Sequence, residues 1–184
     1  MSQHQIAVIV GSLRKGSINR KLADAITKLA PSAFGFRQLE IGDLPLYNQD
    51  DDEDQAPAVK RFKGEILAAT GLIFVTPEYN RGLPGVLKNA IDHASRPYGK
   101  SAWTNKPAGI LGASVGVIGT AVAQQQLRTV LAALDVPTMG LPEAFIHVKE
   151  GFFDETGNIA SAGTCKFLLE WMDRYVAWVT QHAA

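Results

Sequence analysis

Apolar residues along the chain alternate between short continuous runs and helical spacing. Residues 6–10 form an unbroken apolar run, which is typical of a strand buried on both faces of a sheet. Beyond a glycine-containing loop, Leu22, Ile26 and Leu29 recur at helical spacing, and Pro31 ends that pattern. The same alternation continues to the end of the chain, so the predicted order of elements is β-α-β-α-β-α-β-α-β-α.

The remaining elements follow from the same two patterns. Further strands are predicted at residues 34–41, 72–75 and 106–114, with short β candidates at 136–139 and 145–148. Apolar faces predict helices within residues 59–67, 86–91, 122–134 and 167–179, and Pro84 suits the first turn of its helix. Such alternation predicts an α/β fold, with a parallel sheet and helices on both faces. Five strands suit the doubly wound order 2-1-3-4-5 of flavodoxin. Since no repeat or linker interrupts the pattern, we expect residues 1–184 to form a single domain.

This topology selects three loops before any motif is considered. In a doubly wound sheet, ligands bind outside the carboxyl ends of the strands, at the switch between strands 1 and 3. The loops concerned are residues 11–18, 77–83 and 114–118, named here the first, second and third loop. We therefore expect these three loops to border one crevice.

The first loop matches neither of two common nucleotide-binding motifs. A dinucleotide fingerprint requires G-x-G-x-x-G, but the glycines here are Gly11 and Gly16. A P-loop requires G-x-x-x-x-G-K-[ST]. The glycine spacing agrees, but Ser17 replaces the lysine and Ile18 replaces the magnesium-binding hydroxyl. A nucleoside triphosphate with its metal would lack both contacts.

The first loop still has the composition of an anion site. Backbone N–H groups converge where the following helix begins, and the helix dipole favours negative charge there. Ser12 and Ser17 add hydroxyl donors, Arg14 adds a guanidinium, and Asn19 is a candidate N-cap residue. These groups suit the terminal phosphate of a monoester. The alternative is an ordinary turn whose serines cap the helix and whose Arg14 lies in water.

The second and third loops suit a planar ring. Glu78 and Tyr79 fall where such a ring would lie, and Tyr79 or Asn80 could pack beside it. The third loop begins at Ser114 and is small, so a ring can approach its backbone. The alternatives are a surface turn with Pro77 and Pro84 as rigid ends, and a helix N-cap at Ser114 or Thr120.

Composition excludes several classes of function. Lys+Arg and Asp+Glu both number 18, so the chain lacks the basic footprint of a nucleic-acid-binding protein. No apolar stretch approaches the roughly 20 residues of a membrane span, and no secretory signal is apparent. Cys165 is the only cysteine, so no internal disulfide or zinc cluster is expected. These features predict a cytoplasmic protein without membrane or nucleic-acid partners.

Three segments resemble a known family. They are GSLRKGSINRKLA, VTPEYNRGLPGVLKNAIDHASR and ASVGVIGTAVAQQQLR. They closely resemble the NADPH-dependent FMN reductases, and most of all their bacterial chromate and quinone reductases. The resemblance implies a flavodoxin-like fold, non-covalently bound FMN, and a homodimer or homotetramer. Residues 124–128 contain glutamines where similar proteins use a tyrosine in subunit contacts, so the dimer is the firmer expectation.

The resemblance also assigns residues to the cofactor. It places the phosphate chiefly on Ser12, Arg14, Ser17 and Asn19, with backbone help from Gly16 and Ile18. It places the isoalloxazine ring along Pro77, Glu78, Tyr79 and Asn80, with Ser114 on the far side. No catalytic side chain is expected, because the flavin carries out the redox chemistry.

The expected activity is reduction of small-molecule acceptors by NADPH or NADH. A hydride would pass to FMN N5, and quinones, or chromate, azo or nitro compounds, would then take two electrons in a ping-pong scheme. A flavodoxin-type electron carrier is the alternative, but carriers are usually strongly acidic and this chain has zero net charge. A relative that has lost its flavin and serves as a scaffold is a third hypothesis.

Some residues with reactive or aromatic side chains receive no assigned chemistry. His93 is interpreted as a solvated or satisfied helix histidine, and acidic residues 50–54 as a solvated loop. Tyr98 and Trp103 lie in a loop that could border the site of a partner subunit, where an aromatic ring could cover the flavin.

Overall fold

A five-stranded parallel sheet is the central element of the computed structural model, which describes residues 4–182. Its strands are β1 (His4–Val10), β2 (Phe34–Gln38), β3 (Gly71–Val75), β4 (Ala108–Ser114) and β5 (Ala144–His147). They lie in the order β2-β1-β3-β4-β5, and every neighbouring pair is parallel. The flavodoxin-like order predicted from the sequence is confirmed.

Helices cover both faces of this sheet. They are α1 (Ile18–Thr27), α2 (Pro57–Leu67), α3 (Gly85–Ala94), α4 (Ala121–Ala132) and α5 (Ala162–His182), with a short 3₁₀ turn at Gln49–Asp51. Successive strand residues point to opposite faces. Accordingly Ile6 and Val8 pack with α1 and α5, whereas Ala7 and Ile9 pack with α2, α3 and α4. Of the helices within residues 4–182, none has the length and apolar composition needed to cross a bilayer.

Several predicted boundaries shift. The strand expected to reach residue 41 ends at Gln38, because the chain makes only one further bond to β1, from the Leu39 N–H to Val8 O at 2.9 Å. The candidate at 136–139 is not a strand; Thr138 only forms an isolated bridge with Ala108. Pro84 occupies the N-cap position of α3, just before the helix rather than in its first turn.

Trp103 lies in the core between α2, α3 and the sheet. It is fully buried, and its ring centroid lies 5.8 Å from that of Phe62 and 5.7 Å from that of Phe74. Its indole N–H donates to Ile91 O at 3.0 Å. The loop turns inward here, because the Ala102 N–H bonds the end of α3 at Ala94 O, at 2.8 Å. The suggestion that Trp103 covers a flavin is therefore wrong.

Helix α5 lies close against the sheet through two stacked aromatic rings. Trp171 and Tyr175 stack at 5.5 Å with an interplanar angle of 6°. A Cβ atom on Gly109 would lie 2.7 Å from Tyr175 Cδ2, so only glycine fits beneath these rings. Burial raises the pKa of the Tyr175 hydroxyl well above its usual value, so this group stays neutral within the core.

Candidate cofactor site

The register of the sheet brings the three loops to one edge. Val10 pairs with Val75, and Val75 pairs with Leu111. Because these strands are parallel, the loops that follow them leave the same edge side by side. The Gly11 N–H donates to Val75 O at 2.9 Å, and the Thr76 N–H donates to Leu111 O at 3.0 Å. The crevice predicted at the switch between β1 and β3 is therefore bordered by the first and second loops.

Ser17, not Asn19, caps helix α1. Its backbone is extended, and its Oγ accepts the Arg20 N–H at 3.2 Å. The helix begins at Ile18, so Asn19 already lies inside the first turn, where its side chain cannot serve as an N-cap. The N-cap prediction for Asn19 is wrong. Ser17 and Asn19 are both suitable N-cap residues, and Ser17 holds the N-cap position because the helix begins at Ile18.

The Asn19 side chain instead joins α1 to β4. It is buried, with Oδ1 accepting the Ala113 N–H and Nδ2 donating to Ala113 O, both at 2.8 Å. Strand β3 ends at Val75, so the Ala113 backbone has lost its strand partner on that side. The amide supplies both missing bonds. What Asn19 offers an anion in the crevice is thus chiefly its backbone N–H.

The first loop contains many unpaired hydrogen-bond donors. Within residues 4–182, the Ser12 hydroxyl and the Arg14 guanidinium have no protein partner. In the same range, the backbone N–H groups of residues 12–16, 18 and 19 donate to no protein acceptor. Ser12 and Ser17 are buried, whereas Arg14 and Gly16 are exposed. Donors gathered at a helix N-terminus suit a phosphate group, which accepts several hydrogen bonds at once.

Glu78 of the second loop caps helix α4. Its carboxylate Oε2 accepts the N–H groups of Val122 at 3.0 Å and Ala123 at 3.1 Å. The first turn of α4 has no acidic residue, so Glu78 supplies the negative charge that a helix N-terminus favours. The side chain therefore points towards α4 and is only 8% exposed.

Of the two N-cap alternatives for α4, the one at Thr120 is right in position, and the one at Ser114 is wrong. Thr120 occupies the N-cap position without a side-chain capping bond. Ser114 Oγ donates to Gly119 O at 2.6 Å and accepts the Gly116 N–H at 3.1 Å. Ser114 thus fixes the shape of the third loop.

The tip of the second loop is a tight turn in a strained conformation. Tyr79 and Gly82 exchange backbone hydrogen bonds of 3.2 and 3.0 Å. Between them, Asn80 and Arg81 have φ angles of 52° and 63°. A two-residue turn of this kind requires positive φ at both positions. Non-glycine residues adopt it at an energetic cost, which is a common feature of binding loops.

Gln126 holds this turn in place, a role that the sequence did not indicate. Its Oε1 accepts the Leu83 N–H at 2.9 Å, and its Nε2 donates to Arg81 O at 3.3 Å. The neighbouring Gln124 is buried and donates to Thr120 Oγ1 and Ala144 O, both at 2.9 Å. The family resemblance relates this glutamine run only to subunit contacts. No local pattern marks a side chain that bonds a loop more than forty residues away.

An open groove of about 450 Å³ lies between the second and third loops. Its lining comprises Glu78, Asn80, Arg81, Ser114, Val115, Gly116, Val117, Ile118 and Gly119. The exposed apolar side chains of Val115, Val117 and Ile118 give it a surface on which a flat ring can lie. Pro77 is buried behind it, and Tyr79 is half exposed beside it. The site thus combines anion donors with a ring-sized apolar surface.

His93 belongs to a different part of the structure. It is buried on α3, and its Nε2 lies 2.8 Å from Pro45 O. Its ring also makes an edge contact with Tyr47, at a centroid distance of 5.4 Å. These contacts satisfy the side chain, in agreement with the interpretation as a satisfied helix histidine.

Comparison with known proteins gives consistent matches over most of the chain. A sequence model of the family described as NADPH-dependent FMN reductase matches residues 4–151. A 2-hydroxy-1,4-benzoquinone reductase from Burkholderia sp. is 54% identical over 175 residues, covering 95% of this chain and 96% of that protein. A quinone reductase from Pseudomonas putida is 47% identical over 186 residues, covering both chains completely. Among solved structures, FerB, a flavoenzyme NAD(P)H:(acceptor) oxidoreductase from Paracoccus denitrificans, superposes with a TM-score of 0.93 at 43% identity, covering 97% of this chain and 98% of that one.

Proposed function

Because this chain belongs to the family of NADPH-dependent FMN reductases, we propose that it is an enzyme that reduces quinones with electrons from NAD(P)H through bound FMN. The unpaired donors of the first loop carry this proposal, since they lie where a terminal phosphate would anchor a planar ring across the sheet edge. The quinone-reducing activities named for two relatives support the choice of acceptor. Chromate, azo and nitro compounds are further acceptors that we propose.

We propose that the residues of the crevice divide between the two ends of FMN. Ser12, Arg14, Gly16, Ser17 and Ile18 would hold the phosphate, together with the backbone N–H of Asn19. The ring would lie along Pro77, Glu78, Tyr79 and Asn80, with Ser114 shaping the far side. FMN held there would supply the redox chemistry, hydride acceptance and two-electron transfer to an acceptor, so no protein nucleophile is required. The protein holds the phosphate, presents the groove, and fixes the second loop through Glu78 and Gln126.

One experiment separates this enzyme from the other two hypotheses. NADPH is added without oxygen to the purified protein loaded with FMN, and flavin absorbance is followed. The proposed enzyme bleaches within seconds. A flavodoxin-type carrier would stay yellow until a partner reductase is added. A scaffold that has lost its cofactor would neither turn yellow with FMN nor quench its fluorescence, and that result would contradict the proposal entirely.

We also propose that donor and acceptor occupy the same groove in turn. The groove between the second and third loops lies at the same sheet edge as the first loop, so both substrates would approach through it. A ping-pong scheme follows, and initial rates at several acceptor concentrations should give parallel double-reciprocal lines. Intersecting lines would require both substrates to be bound together and would contradict this proposal.

Arg14→Ala is expected to weaken FMN binding by about tenfold to a hundredfold, since a charge-assisted contact contributes about 1.5–3 kcal/mol. Fluorescence titration of apoprotein with FMN measures the dissociation constant. Lys21→Ala is the matched control, because it removes the same charge from an exposed position one turn into α1. Equal affinity in the Arg14 variant and in the wild type would remove Arg14 from the phosphate site.

We propose that residues 1–184 act as one FMN-binding domain, located in the cytoplasm, and that the chain forms a homodimer or homotetramer. The exposed side chains of Leu46 and Tyr98, 87% and 91% accessible, are candidate contacts for such an interface. Light scattering should give at least twice the mass of one chain, 19.8 kDa. A monomer at micromolar concentration would contradict this assembly.

A further inference from the structure

The second loop places a guanidinium at the edge of the groove. Arg81 lines the groove, and its side chain is 65% exposed. Among the described residues that line this groove, Arg81 is the only cation. Val115 and Val117 on the facing loop are apolar and exposed. A ring lying on these side chains would therefore meet one positive charge at its edge.

The charge of Arg81 is only loosely paired within the protein. Its Nη1 lies 3.6 Å from Glu78 Oε1, beyond hydrogen-bond distance. The other carboxylate oxygen of Glu78 is bonded to the first turn of α4, which offsets its charge. The guanidinium therefore keeps donors free for an anion that enters the groove.

The backbone beneath this side chain is fixed. Arg81 lies at the strained turn with φ 63°, and its carbonyl accepts the Gln126 amide at 3.3 Å. The attachment point of the guanidinium is thus held although the side chain itself is exposed. A positive charge at a fixed position favours ligands whose negative charge falls beside it over ligands that lack a charge there.

We propose that Arg81 is a specificity-determining residue that selects electron acceptors carrying an anionic group on the ring, as ionised hydroxyquinones do. This inference rests on the proposed quinone reductase function. A hydroxyl conjugated to a quinone carbonyl is a vinylogous carboxylic acid, so it is ionised at neutral pH. Its charge is delocalised over O2 and O4, and the O1 carbonyl lies beside O2, so the planar fork of arginine can donate to the neighbouring O1 and O2 atoms at the ring edge. The phosphates of NADPH are also anionic, so recognition of the electron donor by Arg81 is the competing explanation. The two measurements below separate it from recognition of the acceptor.

The test compares two acceptors that differ by one group. Wild type and Arg81→Gln are assayed with 2-hydroxy-1,4-naphthoquinone, which is anionic, and with neutral 1,4-naphthoquinone. For an exposed charge-assisted contact, kcat/KM should fall about threefold to fivefold for the anionic quinone and less than about twofold for the neutral one. Arg174→Gln, exposed on α5, removes an equal charge outside the crevice and should change neither value.

Binding without turnover provides an independent measurement. Oxidised FMN-loaded protein is titrated with 2-hydroxy-1,4-naphthoquinone in the absence of NAD(P)H, and the flavin spectrum reports the dissociation constant. Binding to Arg81→Gln should be about threefold to fivefold weaker, and added salt should reduce the difference. Equal losses for both quinones, an effect confined to the KM for NADPH, or unchanged binding would each overturn the proposal. If the wild type reduces neither quinone, the proposed function fails, and this titration still decides whether Arg81 recognises the anion.

Discussion

Replacing Asn19 with alanine is expected to lower the free energy of unfolding by about 2–6 kcal/mol, because two buried backbone groups lose their partner and each costs about 1–3 kcal/mol. The amide forms both hydrogen bonds that the Ala113 backbone makes beyond the end of β3. Its loss would also release the start of α1 from β4, so FMN affinity should fall as well. Urea unfolding followed by circular dichroism measures the first effect, and fluorescence titration measures the second.

Gln125→Ala is the control for this variant. The Gln125 side chain is exposed on α4, so its truncation should change stability by less than about 0.5 kcal/mol. Asn19→Asp keeps one acceptor for the Ala113 N–H but places a carboxylate against the Ala113 carbonyl, so it should also destabilise the protein. An Asn19→Ala protein as stable as the Gln125 variant would mean that the Ala113 backbone finds equivalent partners elsewhere.

Trp103→Ala should lower the free energy of unfolding by about 3–5 kcal/mol, the usual range for removing a fully buried aromatic side chain. The cavity would open between Phe62 and Phe74, and the Ile91 carbonyl would lose its indole donor. Urea unfolding again provides the measurement. Trp103→Phe refills part of the volume and should recover part of the loss.

Two comparisons make the Trp103 prediction specific. Lys100→Ala, in the same loop and with an exposed side chain, should leave stability within about 0.5 kcal/mol of the wild type. Folded Trp103→Phe should bind FMN with wild-type affinity, because the ring packs inside the core. A Trp103 variant that keeps its stability but loses FMN would instead place this residue at the cofactor.

The sequence predicted the sheet and the location of the crevice because both follow from local patterns. Continuous apolar runs and helical periods gave the order of elements, and that order selected the three loops. The sequence could not predict the side-chain hydrogen bonds of Asn19 and Glu78, since their partners lie 94 and about 45 residues away along the chain. Trp103 was misplaced for a related reason: periodicity is uninformative in an irregular segment, so a loop that turns inward looks like one that stays outside.

The attachment of the second loop to α4 restricts how this protein can diversify. Glu78 bonds the start of the helix and Leu83 bonds Gln126, so both ends of the loop are fixed to the same helix. An inserted or deleted residue between these anchors would break one of them, whereas the side chains of Tyr79, Asn80 and Arg81 project at the exposed tip. New acceptor preferences should therefore arise through substitution at these three positions, with the number of residues between the anchors conserved.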